Sequence, residues 1–190
     1  MKDPSRTYSF EEEERLAYNL KNISEQVHRG SLRHLGINSA LICFLHEHLF
    51  QGIRPHAGRV RHVDWGTEYL IFGPNRSAHR KDVVLKLEKV FIDLKRSIAS
   101  FDANIEHPEY DSKAFYTAVW AHAEIINIHP FEDGNGRSTR LLMNWVLIRL
   151  GLHPISMDTV KLEYSACLNE YFLSRNIQPL LDLCLRVYRI

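Results

Sequence analysis

Apolar residues recur at intervals of three and four along most of this 190-residue chain, which is the spacing of a buried helix face. Glycine or proline follows most of these segments, as expected where helices end. The pattern predicts an all-α domain, a helical bundle. The predicted helices run from Ser9 to about His28 and over residues 38–51, 77–100, 111–129, 136–150, 158–174 and 179–188.

One stretch interrupts the helical spacing. Arg59–Trp65 and Glu68–Phe72 flank Gly66-Thr67, and Gly73-Pro74 closes the segment. Short apolar runs on either side of turn residues are typical of a β-hairpin. Because a lone hairpin is barely stable in water, we expect a small flap that leans on the helices.

Charge and composition narrow the classes of partner. The chain has 24 Lys and Arg against 23 Asp and Glu, so its net charge of +1 gives no bulk reason to bind nucleic acid or a membrane surface. Cys43, Cys167 and Cys184 are too few and too scattered for a disulfide framework or a Cys-rich zinc site. No secretory signal and no apolar run of about 20 residues is present, so we expect a cytoplasmic protein with no nucleic-acid or membrane partner.

Residues 129–140, His-Pro-Phe-Glu-Asp-Gly-Asn-Gly-Arg-Ser-Thr-Arg, join two predicted helices and hold more polar chemistry than a turn requires. Gly134 and Gly136 can take positive φ, so successive backbone N–H groups can converge on an anion. The next helix adds its free N–H groups and the positive end of its dipole. Arg137 and Arg140 can project from one side of its first turn, and guanidinium groups suit phosphate oxygens. The segment predicts a cradle for a polyphosphate.

Two side chains of this segment suit chemistry on a bound phosphate. Asp133 offers the hard oxygen ligand that Mg²⁺ takes when it bridges phosphates. His129, whose helix ends at Pro130, carries an imidazole; the ordinary pKa of that group is near 6.5, so it can accept a proton. We expect Phe131 to point into the core and Glu132 to face solvent. The alternative, an ordinary glycine turn between helices, leaves this clustering unexplained.

The segment resembles the Fic family motif, His-Pro-Phe-x-Asp/Glu-Gly-Asn-Gly/Lys-Arg with a second arginine after two further residues, at every fixed position. Residues 46–50 and 57–61 upstream, and 141–144, 151–155 and 164–168 downstream, look like the family's other elements. The resemblance covers roughly residues 35–185. It implies a Fic fold, a helical bundle with a β-hairpin flap over the active loop, with a Fic domain over 35–190 and an N-terminal helical extension over 1–34.

The resemblance also implies an activity. A protein of this kind is a nucleotidyltransferase that moves AMP from ATP to a serine, threonine or tyrosine hydroxyl of a target protein and releases pyrophosphate. The resemblance implies that His129 is the general base and that Asp133 is the Mg²⁺ ligand. It also implies that an anion hole is formed by Gly134, Asn135 and Gly136, and that the β- and γ-phosphates are held by Arg137 and Arg140. The expected catalytic residues are His129, Asp133, Asn135 and Arg137.

The flap and the regulation follow less directly. An exposed edge strand at Thr67, Glu68, Tyr69 and Leu70 is expected to pair with an extended target segment, and the alternative is a purely structural hairpin. Ser9–Glu14 and Thr159–Tyr164 match the family's inhibitory pattern, Ser/Thr-x-x-x-Glu-Gly/Asn, except at its last position. We therefore expect either an antitoxin-like inhibitor protein or no inhibition by a helix.

Other functions remain as alternatives. A related enzyme would transfer UMP, transfer a phosphate or remove AMP, and a non-catalytic module would bind only a nucleotide or a partner. Gly134 and Gly136 disfavour phosphotransfer, because the kinase-like branch of the family has Ala and Lys beside its Asn. His129 and Asp133 disfavour the binding module, since binding alone needs no base.

Three further polar residues have two interpretations each. His122 lies about two helical turns before His129, and we interpret it as a core histidine and not as a second base. Asn144 and Tyr164 either border an adenine pocket or pack helices together. The two histidines of His46-Glu47-His48 fall on different sides of a helix, so zinc binding there is not expected.

Overall fold

The computed structural model describes residues 8–102 and 108–188, and within these ranges it has seven α-helices and one two-stranded sheet. The all-α prediction is confirmed, and five of the seven predicted helices begin within two residues of the observed ones. The elements are α1 (Phe10–His28), α2 (Ser39–Phe50), β1 (Ile71–Phe72), β2 (Asn75–Arg76), α3 (Val83–Asp102), α4 (Tyr110–Ile128), α5 (Asn135–Arg149), α6 (Lys161–Ser174) and α7 (Gln178–Tyr188). The predicted starts at residues 77 and 158 precede those of α3 and α6, at Val83 and Lys161.

Helix α1 begins as its sequence predicts. Ser9 is the N-cap: its Oγ accepts from the Glu12 amide at 3.2 Å, and the Glu12 carboxylate accepts from the Ser9 amide at 2.9 Å. This reciprocal capping box satisfies two amides that would otherwise lack partners. Leu16, Ile23 and Val27 form the buried face of α1, which packs on α2 and α5. The division into a 1–34 extension and a 35–190 domain stays a prediction.

Helices α4 and α5 form the centre of the bundle. Helix α3 packs along α4, α1 and α2 pack along α5, and α6 and α7 complete the far side of α4. Phe115 and Ile125 of α4 and Leu142 and Trp145 of α5 are almost entirely buried. Helices that are apolar on most sides belong in an interior. The 129–134 loop between them is therefore held at both ends by the best-packed part of the molecule.

The small sheet lies further along the chain than predicted. Strands β1 and β2 pair antiparallel, with Ile71 opposite Arg76 and Phe72 opposite Asn75. The turn is therefore Gly73-Pro74, with Gly73 at a φ of +58°, and not Gly66-Thr67.

The predicted first strand, residues 59–65, retains only an isolated bridge between His62 and Trp65. Its backbone bonds to the active loop instead of to a second strand, because the Arg61 amide donates to the Pro130 carbonyl at 2.8 Å. The Gly66 carbonyl likewise accepts from the Arg80 guanidinium at 2.7 Å. Partners distant in sequence therefore prevent the longer hairpin.

Two expectations from composition can be compared with the described residues. Cys43, Cys167 and Cys184 are all free thiols, of which Cys184 is fully buried and the others are half-buried. In residues 8–102 and 108–188, no helix combines the length and the apolar character needed to cross a bilayer.

Candidate active site

The histidine of the motif sits at the end of α4 in a left-handed conformation. His129 has φ 56° and ψ 63°, which ends the helix immediately before Pro130. Its Nδ1 lies 3.1 Å from the carbonyl of Ile126. Because a carbonyl can only accept, Nδ1 carries the proton of the neutral ring and Nε2 is its basic nitrogen. The Phe72 ring of the flap stacks on the imidazole, with centroids 4.0 Å apart and planes at 11°.

The middle of the loop is closed by buried groups. Phe131 is fully buried, as predicted, and its ring stacks on that of His46 at 3.8 Å. The Asn135 side chain accepts from the Phe131 amide at 2.9 Å and donates to the Phe131 carbonyl at 2.8 Å. The amide group of Asn135 therefore fixes the loop, and only its backbone N–H is left to face a ligand.

His46 is a structural support of the site that the sequence reasoning missed. Its Nδ1 accepts from the Gly58 amide at 2.8 Å, and its Nε2 donates to the carbonyl of Asp133 at 3.0 Å. Burial lowers the pKa of His46 to about 4, so the ring is neutral in the folded protein. The only local signal was a histidine on the apolar face of α2.

The start of α5 provides two open amides. Gly134 is the N-cap, with a φ of +75°, and a Cβ there would lie 2.1 Å from the Phe50 ring. Its amide donates to the Asp133 carboxylate at 2.6 Å. Within the described part of the chain, the amides of Asn135 and Gly136 donate to no protein group. Of the three residues expected to form an anion hole, these two present N–H groups at the positive end of a helix.

The two arginines of the motif reach one cavity, as their spacing predicts. Arg137 and Arg140 both line a space of about 200 Å³ between α5 and Ser24 and His28 of α1. The Arg137 guanidinium lies 3.7 Å from the Asp133 carboxylate. A larger cavity, of about 480 Å³, lies behind β2 and contains no residue of the 129–140 segment.

Tyr8 lies against Asp133 and Arg137, a contact that nothing in its local sequence indicated. Its hydroxyl donates to Asp133 Oδ2 and accepts from the Arg137 guanidinium at 2.9 Å. Burial raises the pKa of Tyr8, and so does the bond to Asp133. Its ring packs 4.5 Å from the Arg54 guanidinium, which pairs with Glu12 at 3.1 Å. The start of α1 is thus fastened over the residues expected to hold Mg²⁺ and phosphate.

Asp133 suits a metal that arrives with its substrate. Within the described residues no group of three or more His, Cys, Asp or Glu side chains could hold a resident metal ion. Mg²⁺ often reaches a protein through one or two carboxylates together with substrate phosphates. A single carboxylate beside two open amides and two arginines fits that second kind of site.

The expected docking strand at Thr67, Glu68, Tyr69 and Leu70 is wrong as an element. None of these four residues is in a strand. Leu70 is buried, and its N–H and carbonyl both bond to Ser77 at 2.9 Å. Thr67 donates from both its amide and its hydroxyl to a carboxylate of the active loop. In the described part of the chain the strands that follow this segment are β1 and β2, and Ile71 of β1 is 65% exposed.

That carboxylate is Glu132, so its expected solvent-facing position is also wrong. Glu132 is half-buried and holds Thr67 through both oxygens, with the hydroxyl at 2.8 Å. The flap and the active loop are therefore bonded to each other. This pairing of residues 65 positions apart leaves no local signature in the sequence.

Of the three remaining ambiguous residues, His122 belongs to the core. His122 is fully buried and lies 2.7 Å from the Tyr164 hydroxyl; burial lowers its pKa to about 3 and raises that of Tyr164 to about 12. The Asn144 side chain bonds to the amide and the carbonyl of Ile155, both at 3.0 Å. Asn144 also lines the cavity of Arg137 and Arg140, and the Arg140 guanidinium lies 5.7 Å from the Tyr164 ring. These two residues therefore pack the bundle and also border the site.

Known proteins share the sequence of the active loop's region and the fold of this chain. Residues 36–147, more than half of its length, match the model of the Fic/DOC family. The chain belongs to the Fic/DOC family. This Fic/DOC protein is 48% identical over 52 residues to the protein adenylyltransferase Fic of Drosophila melanogaster, a match covering 27% of the chain and 10% of that protein. Its match to the Aedes aegypti protein of the same name is 55% over 38 residues, or 20% and 8% of the two lengths.

The chain thus matches about a tenth of the length of these curated relatives. Solved structures, in contrast, align with nearly all of this chain. BepC, a VirB-translocated effector protein of Bartonella tribocorum with bound AMPPNP, aligns with a TM-score of 0.71 at 19% identity over 98% of this chain and 88% of its own. The ADP-bound Fic domain of a Bartonella quintana effector aligns with the same score and identity over 98% and 86%. The Fic fold expected from the motif is confirmed.

Proposed function

We propose that this protein transfers AMP from ATP to a hydroxyl side chain of a target protein. The proposal is carried by one observation: a histidine whose Nε2 is its basic nitrogen is fixed on the same loop as two open amides at the start of α5. Binding alone needs the amides and the arginines, whereas a base beside them serves a transfer step. The insect relatives are named protein adenylyltransferases, and the Bartonella structures contain AMPPNP or ADP.

In the proposed reaction the phosphates face the start of α5. The amides of Asn135 and Gly136 and the helix dipole stabilise negative charge on the α-phosphate, while Arg137 and Arg140 hold the terminal phosphates. His129 Nε2 takes the proton of the target hydroxyl. The hydroxyl oxygen then forms a bond to the α-phosphorus, the bond from that phosphorus to the bridging oxygen breaks, and pyrophosphate leaves with the electron pair.

Asp133 would hold Mg²⁺ bound to the same phosphates, and that ion would neutralise charge as pyrophosphate departs. For this the Tyr8 hydroxyl must leave Asp133 and Arg137. The imidazole of His129 keeps its Nδ1 proton on the Ile126 carbonyl, which orients the basic nitrogen in the way a carboxylate orients the histidine of a hydrolase. A target segment would pair with β1, one of the two strands of the small sheet.

The test uses ATP labelled at the α or the γ position, together with Mg²⁺ and a lysate as the source of targets. We expect α-label on protein with the wild type and none with His129→Ala. Label from the γ position alone would indicate a kinase, and binding of ATP without transfer would indicate a binding module. UTP labelled at its α position, run in parallel, separates UMP transfer from AMP transfer.

A further inference from the structure

Arg61 is the most deeply buried charged side chain near the site, with no exposed surface. In the described chain its guanidinium contacts backbone carbonyls and one hydroxyl, and no carboxylate lies within ion-pair distance of it. A buried cation of this kind is retained only where its donors are satisfied.

One set of donors holds the backbone of the catalytic histidine. Two guanidinium nitrogens of Arg61 donate to the carbonyl of His129, at 2.7 and 3.0 Å. The Arg61 amide donates to the next carbonyl, that of Pro130, at 2.8 Å. His129 is one of two non-glycine residues with positive φ in the described chain, and such a conformation persists only where its surroundings fix it. Arg61 supplies that fixation at the negative end of α4.

The other donors hold the flap. The Arg61 guanidinium donates to the Thr67 carbonyl at 3.0 Å, to the Ala78 carbonyl at 3.1 Å and to the Ser77 hydroxyl at 3.0 Å. Thr67 and Ala78 lie on either side of the hairpin that carries Phe72 onto the His129 ring. A single side chain thus connects the backbone beneath the imidazole to the element that covers its face.

The phosphate-facing half of the loop has separate supports. The Asp133 carbonyl is held by His46 at 3.0 Å, and Phe131 is held by the Asn135 side chain at 2.8 and 2.9 Å. Arg61 bonds to none of these residues. Changing it should therefore disturb the base and leave the anion site in place.

We propose that Arg61 is a positioning residue for the transfer step, which sets the orientation of His129 relative to the flap without contacting the nucleotide. This inference rests on the proposed function for its kinetic consequence. Its structural consequence, a fixed imidazole, can be measured without any turnover. The guanidinium group of an arginine can donate to carbonyls of three segments at once. The single ammonium group of a lysine cannot reach all three.

The experiment compares wild type, Arg61→Lys and, as a matched control, Arg59→Lys, which changes an exposed arginine two positions away. For Arg61→Lys we expect kcat to fall at least tenfold, with the dissociation constant of Mg·AMPPNP changed less than threefold. In spectra of protein with ¹³C-labelled histidine, the His129 ring signal, assigned with His129→Ala, should shift or broaden. Arg59→Lys should change none of the three.

An Arg61→Lys protein that folds with an unshifted His129 signal and wild-type kcat overturns the proposal. Equal losses in kcat and nucleotide affinity also overturn it, since they indicate a general structural role. If Arg61→Lys does not fold, Phe72→Leu takes its place, and an unchanged His129 signal there overturns the flap contact. A wild type that shows the expected signal but transfers no nucleotide refutes the proposed function and leaves the positioning role intact.

Discussion

Removing one hydroxyl at the start of α1 should strengthen nucleotide binding. Tyr8 bonds to Asp133 and Arg137, and both partners are needed for Mg²⁺ and phosphate. Tyr8→Phe keeps the ring against Arg54 and deletes only those two bonds. Nucleotide no longer has to displace them, so its apparent affinity rises by the free energy they contribute to the closed arrangement.

The magnitude follows from the partners and their exposure. Hydrogen bonds to charged groups are worth about 1.5–3 kcal/mol when buried. The side chains of Asp133 and Arg137 are 21% and 25% exposed, and water replaces part of what the hydroxyl supplies. We therefore assign the two bonds together about 1–2 kcal/mol, which corresponds to about a 5- to 30-fold lower dissociation constant.

The assay is isothermal titration with Mg·AMPPNP, which removes turnover from the measurement. Tyr18→Phe is the control, because Tyr18 lies on α1, the helix that begins two residues after Tyr8, and is 67% exposed. Without nucleotide, Tyr8→Phe should also unfold more easily, by the same about 1–2 kcal/mol. Equal or weaker binding by Tyr8→Phe would refute the reasoning, since the hydroxyl would then not compete with the ligand.

Three further changes have distinct expected outcomes. Gly134→Ala should lower the free energy of unfolding by about 3 kcal/mol or more, measured in urea, because it combines a positive φ with a clash against Phe50. Arg137→Ala should raise the KM for ATP more than Glu132→Ala does, since only Arg137 faces the phosphate site; equal effects would contradict this geometry. Burial lowers the pKa of His46 to about 4, so between this value and 6.5 the ring stays neutral in the folded protein and is protonated in the unfolded chain. The contribution of neutral His46 to the free energy of unfolding is therefore about 3 kcal/mol above pH 6.5, and it is lost as the pH falls toward about 4. Urea unfolding of His46→Gln should lack this part of the pH dependence, and an unchanged acid sensitivity would contradict the assigned burial.

Local patterns sufficed for the helices and the motif. The start of α1 after Ser9 and the end of α4 before Pro130 each depend on neighbours a few residues away. Periodicity, caps and turn residues report such short-range relations directly. The phosphate cradle stays a prediction, and its residues are contiguous, so the same short-range relations suggest it.

What the sequence could not show depends on distant partners. The hairpin was misplaced because Arg61 and Gly66 bond to the active loop and to Arg80, and pattern alone cannot choose between a strand partner and these. Tyr8 lies 125 positions from Asp133. The hydrogen bonds between Thr67 and Glu132 join residues 65 positions apart, so local sequence patterns cannot predict them either.

A crystal structure of the protein with Mg²⁺ and AMPPNP tests the central claim most directly. We expect the α-phosphate on the amides of Asn135 and Gly136, Asp133 on the metal, Tyr8 displaced, and His129 Nε2 facing the line of attack opposite the leaving pyrophosphate. Phosphates bound away from these two amides, or a His129 ring turned from the α-phosphate, would contradict it.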